Sequence, residues 1–142
     1  MTSEDQSLPV LVVDDNPLDQ KLAALYLEKA WPFERVLELD FATDGAEALA
    51  KLRHKHFALV VLDWKLPVLG QGEVLRQLRQ NRIRIPVVVV SSAEREDIDT
   101  DLNSLQAAFL NKNQMNPDTF WLAISQSLTL LGLKRPANPA PR

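Results

Sequence analysis

Six consecutive apolar residues, from Phe57 to Leu62, lead directly into Asp63 and constrain the fold more than any other stretch of the chain. The run is too short to span a membrane, and its β-branched residues favour a strand buried on both faces. Pro67 follows and allows no regular continuation of that strand. Because open α/β sheets bind ligands at the carboxyl ends of their strands, Asp63 is the first candidate for a functional residue.

Four further apolar runs predict strands, and they alternate with amphipathic segments that predict helices. The strands are expected at 9–13, 36–42, 86–90 and 107–110, and the helices at 17–31, 45–56, 72–81, 94–105 and 117–131. Asn-Pro pairs at 16–17 and 116–117 are typical of helix N-termini. Repeated alternation with short links predicts an α/β fold: a doubly wound, five-stranded parallel sheet with five helices.

Apolar spacing within two of these helices indicates which side is buried. The first helix is expected to bury its leucines at i, i+4 and i+7, which are Leu18, Leu22 and Leu25. The fourth helix is weaker and strongly acidic, and it is expected to bury the residues with the same spacing, Ile98, Leu102 and Leu105.

The composition limits the classes of function. The formal net charge is -3, and residues 134–142 hold three basic side chains and no acid, so the rest of the chain is more acidic and has no general attraction to nucleic acid. The lack of cysteine excludes disulfides and fits a cytoplasmic location, and no apolar run is long enough for a membrane helix. We expect one domain at 8–133, with flexible ends at 1–7 and 134–142.

Four predicted strands end in polar side chains that suit phosphoryl chemistry. Asp14 and Asp15 follow the first strand, Asp63 the third and Ser91 the fourth, and Lys112 lies just beyond the fifth. In a doubly wound parallel sheet these ends share one edge, so the side chains can meet in one pocket. Three carboxylates repel one another unless a cation lies between them, and oxygen ligands favour Mg²⁺. Asp63 could then attack a phosphoryl group, with Lys112 and Mg²⁺ offsetting charge and Ser91 donating a hydrogen bond.

Each of these residues also has an ordinary structural explanation. An Asp pair before a helix is often a cap, an Asp after a strand is often a turn residue, and a Ser or Lys there is commonly a loop residue. Their joint placement at successive strand ends favours the functional interpretation.

Four motifs in the chain resemble the receiver domain of two-component response regulators, the CheY-like family. They are Val12-Val13-Asp14-Asp15, Leu62-Asp63 with Leu66-Pro67, the serine after Pro86 to Val90, and Phe109-Leu110-Asn111-Lys112. The likeness covers about residues 8–131 and implies the sheet order 2-1-3-4-5 of flavodoxin-like folds. The start Asp14-Asp15-Asn16-Pro17, with Asp19, further resembles short single-domain regulators that serve phytochrome-type kinases.

The resemblance implies a role for each candidate in the pocket. Asp63 is expected to accept a phosphoryl group from a partner histidine kinase, a phytochrome-type kinase being one candidate. Mg²⁺ is expected to bind Asp14, Asp15, Asp63 and the main-chain carbonyl of Lys65. Lys112 is expected to be the lysine that the family places in this site.

The resemblance also implies a switch. Ser91 is expected to follow the phosphoryl group and Phe109 to change rotamer, which would alter the surface formed by the fourth helix, fifth strand and fifth helix, and with it a homodimer. Phe109 is expected to lie beside the helix that carries Trp121, so both side chains are expected to respond. The alternative is that Phe109 and Trp121 are only core residues.

Two positions are expected to set how long the phosphoryl group persists. Lys65 and Ala93 stand two residues after Asp63 and Ser91, and neither offers an acid or base to orient a hydrolytic water. We therefore predict slow autodephosphorylation, slowed further by the Lys65 ammonium. The alternative is that Lys65 points to solvent and has no effect.

Three departures from the family pattern put the loops around the site in question. Asn113 follows Lys112 where the family usually has proline, and Gln71 stands where glycine is common. The glycine usual before the fifth strand is absent from 103–106.

The sequence as a whole predicts a stand-alone receiver that is a phosphoacceptor switch and not an enzyme. Its output would be a contact with a downstream protein or a phosphotransfer protein. One alternative is an interaction module that keeps the fold without phosphorylation. Another is a phosphate hydrolase that uses Asp63 as nucleophile, although no second acid or base follows Asp63, where Lys65 stands.

Overall fold

The computed structural model describes residues 7–31, 36–69, 72–98 and 100–133. The flexible ends predicted at 1–7 and 134–142 lie outside these residues except for Ser7, and the departure at Gln71 lies outside them as well.

The sheet has five parallel strands in the order β2-β1-β3-β4-β5. The strands are β1 (Leu8–Val13), β2 (Leu37–Ala42), β3 (Leu59–Asp63), β4 (Val87–Ser91) and β5 (Ala107–Asn111). Asp63 pairs in register with Val90, and Ser91 with Asn111, so the carboxyl ends of the strands lie along one edge. The predicted fold class and strand order are confirmed.

Four α-helices cover the sheet in the part of the chain that is described. They are α1 (Pro17–Ala30), α2 (Gly45–His54), α3 (Glu73–Gln80) and α4 (Pro117–Leu130). One face of the sheet packs with α2 and α3 in what we call the α2/α3-side cluster, and the other packs with α1 and α4 in the α1/α4-side cluster. None of these helices is long and apolar enough to cross a membrane.

The two Asn-Pro starts form the predicted caps. The Asn16 side chain accepts hydrogen bonds from the main-chain N–H groups of Leu18 and Asp19, and Asn116 forms a capping box with Thr119. Each cap satisfies amides that have no partner within the helix. At α1 this cap fixes the first turn directly after the Asp14-Asp15 pair.

The predicted fourth helix at 94–105 is wrong. The described residues of this crossover form a 3-10 turn at Arg95–Asp97 and hydrogen-bonded turns around 102–106. The side chain of Asp101 accepts hydrogen bonds from the N–H and hydroxyl of Ser104, at 3.2 and 2.7 Å, and such local bonds compete with helix formation. Ile98 and Leu102 are nevertheless buried, so the apolar residues of the segment pack on the sheet without a helix.

A half-buried arginine on α3 holds the end of this crossover. Arg79 donates hydrogen bonds to the main-chain oxygens of Leu105 (2.7 Å), Ile83 (2.8 Å), Ile85 (3.0 Å) and Gln106 (3.1 Å). Burial lowers the pKa of Arg79 to about 10, which still leaves the guanidinium charged at neutral pH. Arg79 therefore connects the segments that precede β4 and β5 to the same helix, α3.

The buried side of α1 is not the predicted one. Leu18, Leu22 and Leu25 are 64%, 37% and 45% exposed, and the helix instead buries Ala23 and Leu27. This helix carries apolar residues on two sides, so spacing alone does not decide which side meets the sheet. The small Ala23 favours close approach to the sheet, and the leucines are left at the surface.

Candidate functional site

The strand ends bring together the predicted acidic residues. Asp14 directly follows β1 and Asp63 ends β3, and both side chains are buried, whereas Asp15 is exposed. One carboxylate oxygen from each of the three lies within 4.8 Å of the others. Oxygen ligands in such a group suit a hard cation such as Mg²⁺, so the residues fit the predicted ion.

Lys112 lies among the acidic groups. Its Nζ is 2.9 Å from Asp14 Oδ2, 3.2 Å from Asp63 Oδ2 and 2.9 Å from Asp19 Oδ2. Burial alone would lower the pKa of Lys112, but hydrogen bonds with Asp14 and Asp19 and the charge of Asp63 raise it overall. Lys112 is therefore a permanent cation in the site.

The surroundings of Asp63 raise the pKa of its carboxyl group. Burial raises the pKa of Asp63 to about 6, repulsion from Asp14 adds to this, and Lys112 opposes both. One carboxylate oxygen accepts from the Lys65 N–H at 3.2 Å and the other from Lys112. At neutral pH the carboxylate is mostly ionised and held at both oxygens, which suits a nucleophile.

Asp14 is fixed by its own neighbours. Its Oδ1 accepts a hydrogen bond from the Asn16 N–H at 3.0 Å, and its main-chain oxygen accepts from the Gln20 side chain at 2.7 Å. The N–H of the α1 cap residue thus orients the Asp14 carboxylate, and Gln20 of α1 holds the main chain of Asp14.

Ser91 is the last residue of β4, and Ala93 lies on the loop that follows the strand. Ser91 is buried, and its Oγ accepts a hydrogen bond from the Ala93 N–H at 3.1 Å. The Ala93 main-chain oxygen accepts from the Asn111 side chain at 3.3 Å. This loop is therefore connected to the end of β5, which precedes Lys112.

The turn after Lys112 uses the main-chain N–H of residue 113, the position where the family usually has proline. Residues Lys112–Gln114 form a 3-10 turn, in which the Asn113 N–H donates to Asn111 Oδ1 at 2.8 Å. Proline at 113 has no N–H and would lose this bond. Asn111 was not predicted as a site residue, although it stands directly before Lys112 in one of the four motifs.

The loop after Asp63 is shaped by close contacts. Trp64 is buried, Lys65 is exposed, and Val68 and Leu69 adopt left-handed φ angles of 49° and 60°. The Gly45 N–H donates to the Val68 main-chain oxygen at 3.1 Å, and a Cβ at Gly45 would lie 2.7 Å from that oxygen. Only glycine allows α2 to begin this close to the loop.

Phe109 does not lie against Trp121. Phe109 packs on the α2/α3-side cluster and Trp121 on the α1/α4-side cluster, so the two rings belong to opposite faces of the sheet. Phe109 instead lines a groove of about 560 Å³ together with Leu102 of the crossover and Leu122 of α4. Any effect of Phe109 on α4 would pass through this groove.

Asp19 is the other residue that sequence analysis missed as part of the site. It stands in the first turn of α1, and it helps to line a cavity of about 90 Å³ together with Asp14, Lys112 and Leu22. Its position in the turn after the Asp pair was the available signal. The contact with Lys112, which is 93 residues away in sequence, has no sequence signature.

The fold and this site define a class of protein. The response regulator receiver domain family model matches residues 10–121. The chain belongs to this family, which confirms the resemblance inferred from the motifs.

Individual solved structures are similar over most of their length. A CheY-like response regulator receiver domain protein from Methanospirillum hungatei JF-1 is 27% identical, with 87% of this chain and 95% of that chain covered and a TM-score of 0.69. The bacteriophytochrome response regulator AtBRR is 32% identical, with 84% and 91% covered and a TM-score of 0.68.

Curated relatives are longer proteins. A protein-glutamate methylesterase/protein-glutamine glutaminase of Treponema denticola is 29% identical over 127 residues, which are 87% of this chain and 33% of the relative. The alkaline phosphatase synthesis transcriptional regulatory protein PhoP of Bacillus subtilis is 34% identical over 87 residues, which are 61% of this chain and 34% of the relative. The chain spans about a third of the length of each.

Proposed function

We propose that this protein is a phosphoacceptor switch of a two-component pathway, in which Asp63 receives the phosphoryl group from a partner histidine kinase. The observation that carries the proposal is the grouping of Asp14, Asp15 and Asp63 at the carboxyl edge of the sheet, where Lys112 contacts two of the three carboxylates. The protein acts as a switch and not as an enzyme with turnover on an external substrate. Its place of action is the cytoplasm.

In the proposed transfer, a carboxylate oxygen of Asp63 attacks the phosphorus of a phosphohistidine. The P–O bond forms as the P–N bond breaks, and the imidazole leaves with the electron pair of that bond. Lys112 donates to a phosphoryl oxygen, and the Ser91 hydroxyl turns from the Ala93 N–H toward the same group. The product is an acyl phosphate on Asp63.

Asp14, Asp15, Asp63 and the main-chain carbonyl of Lys65 would hold Mg²⁺. The ion, when bound, supplies positive charge against the phosphoryl oxygens. A similar structure, 28% identical with a TM-score of 0.68, is the Mn²⁺-bound form of the response regulator Rcp1, and it supports a divalent cation here.

The exposed leucines of α1 suit a protein partner beside the site. Leu22 lines the same cavity as Asp14 and Lys112, and Leu18 and Leu25 extend the apolar stripe along the helix. A kinase helix packed on this stripe would carry its phosphohistidine close to Asp63. The similarity to the bacteriophytochrome response regulator AtBRR supports a kinase of the phytochrome type.

The output surface is the groove formed by the crossover, β5 and α4. Leu122 is 58% exposed there, and Phe109 forms part of the floor. Movement of Ser91 and Phe109 on phosphorylation would change this surface and its contacts with a downstream target, a phosphotransfer protein or a second copy of the chain. The predicted fourth helix is replaced by turns, so any homodimer would use β5 and α4.

The phosphorylated state is proposed to be long-lived. Lys65 and Ala93 provide no acid or base at the mouth of the site to orient a water. The exposed Lys65 side chain is free to pair with the phosphoryl oxygens and to crowd the approach of water.

The test is intact-mass analysis after incubation with acetyl phosphate and Mg²⁺. The wild type is expected to gain one phosphoryl group that hydroxylamine removes, as an acyl phosphate requires, and a chelator is expected to abolish labelling. Asp63→Asn should gain none, while Asp118→Asn, which changes an exposed carboxylate on α4, should be labelled like the wild type. Equal labelling of Asp63→Asn would refute the assignment, and labelling of no variant would favour the phosphorylation-independent interaction module.

A further inference from the structure

Every proton of the Lys112 ammonium has a carboxylate partner. An ammonium has three N–H donors, and its three neighbours are Asp14, Asp19 and Asp63 at 2.9, 2.9 and 3.2 Å. A phosphoryl oxygen on Asp63 can therefore gain a bond from Lys112 only if one of these contacts is released.

Asp19 differs from the other two partners. The side chains of Asp14 and Asp63 are 5% and 7% exposed and belong to the group that fits a metal ion, whereas Asp19 is 33% exposed and lies outside that group. Water can replace Lys112 at Asp19 at little cost, because this carboxylate already reaches solvent. Without a bound cation, release of the buried Asp14 would leave an unpaired buried charge, which costs more.

We propose that Asp19 is a positioning residue that holds Lys112 toward α1 in the resting protein and is exchanged for a phosphoryl oxygen when Asp63 is phosphorylated. This inference rests on the proposed function and adds a residue outside the predicted site. Asp19 touches neither the phosphoryl group nor the metal group, so it acts only through Lys112. The exchange also reports the state of Asp63 to the first turn of α1, next to the exposed Leu18 and Leu22.

The direction of the effect follows from the competition. Removing the Asp19 charge leaves Lys112 with one ion pair fewer in the resting state, so binding of a phosphoryl group competes with a weaker contact. The Asp19→Asn variant should bind a phosphoryl mimic roughly three- to fivefold more tightly, the range expected for loss of a partly exposed ion pair. Asp19→Glu keeps the charge and should restore the wild-type affinity.

The experiment is calorimetric titration of each protein with beryllium fluoride and Mg²⁺ at high ionic strength, where distant charges are screened. Asp118→Asn is the matched control, because it removes an exposed carboxylate from the first turn of the other Asn-Pro helix without touching Lys112. Thermal unfolding of the same proteins measures any purely structural effect, and the saturation kinetics of acetyl phosphate separate apparent KM from maximal rate.

Tighter binding by Asp19→Asn, with Asp19→Glu and Asp118→Asn close to wild type, supports the exchange. Equal or weaker binding by Asp19→Asn overturns it, even if that variant has a lower Tm. If the wild type neither binds the mimic nor is labelled at Asp63, the proposed function fails, and the role of Asp19 falls with it. If the wild type is labelled at Asp63 but Asp19→Asn binds beryllium fluoride with wild-type affinity, only the role of Asp19 is refuted and the proposed function stands.

Discussion

Replacing Asp63 with asparagine should stabilise the fold at neutral pH. Burial and repulsion from Asp14 raise the pKa of Asp63 from 3.8 to about 6, so the folded protein prefers the protonated carboxyl. Below pH 3.8 the Asp63 carboxyl is protonated in both the folded and the unfolded protein, so it does not oppose folding. As the pH rises from 3.8 through about 6, the unfolded protein loses this proton more readily, and the free energy of unfolding falls. The ionised Asp63 therefore destabilises the resting protein above that range.

The size of the effect follows from the same two values. The difference between 3.8 and about 6 corresponds to about 3 kcal/mol of unfolding free energy. Asparagine resembles the protonated carboxyl in size and charge. The variant should therefore approach the wild type below pH 3.8 and exceed it by up to about 3 kcal/mol at pH 7.5, worth several degrees in Tm.

The assay is urea unfolding of both proteins at pH 4.5 and pH 7.5 in the presence of a chelator. Glu28→Gln, an exposed change on α1, is the control for loss of one negative charge. Saturating Mg²⁺ should narrow the gap at pH 7.5, because a cation among the carboxylates offsets their repulsion. A gain that is equal at both pH values, or no gain at pH 7.5, would refute this account of Asp63.

Three other contacts give separate tests. Arg79→Met removes four hydrogen bonds to main-chain oxygens and should lower the unfolding free energy by roughly 2–4 kcal/mol by urea titration, against little change for the exposed Arg53→Met. Gly45→Ala places a Cβ 2.7 Å from the Val68 oxygen, so it should lower Tm and slow labelling by acetyl phosphate, and unchanged values would mean that the loop adjusts freely. Lys65→Asn should speed phosphate loss several-fold after donor removal without preventing phosphorylation, and an equal or slower rate would exclude the proposed role of Lys65.

The sheet was predictable from sequence because its strands carry unambiguous apolar runs. The run at 87–90 is valine throughout. Because it is buried on both faces of the sheet, its prediction did not depend on deciding which side of the strand meets solvent. The errors fall where two interpretations compete. In α1 two apolar sides have helical spacing, and in the 94–105 segment the apolar spacing of a helix coexists with Asp101 and Ser104, which bond to each other in a turn.

The candidate site was predictable to the extent that it follows strand ends. Parallel strands of similar length bring Asp14, Asp63, Ser91 and Lys112 to one edge whatever the details of packing. The Asp19 contact depends on the rotation of α1 about its axis, which was predicted wrongly. The opposite placement of Phe109 and Trp121 likewise depends on which face of the sheet each side chain occupies.

The turns that replace a helix between β4 and β5 have a consequence for hydrogen exchange. In the described part of this crossover, main-chain bonds are few and short in range, such as Asp97 N–H to the oxygen of Glu94. Amides there should exchange by local opening at rates well above those of β3 and β4. The same opening would uncover Phe109, so the part of the fold that opens most readily borders the surface where the phosphorylation state is read.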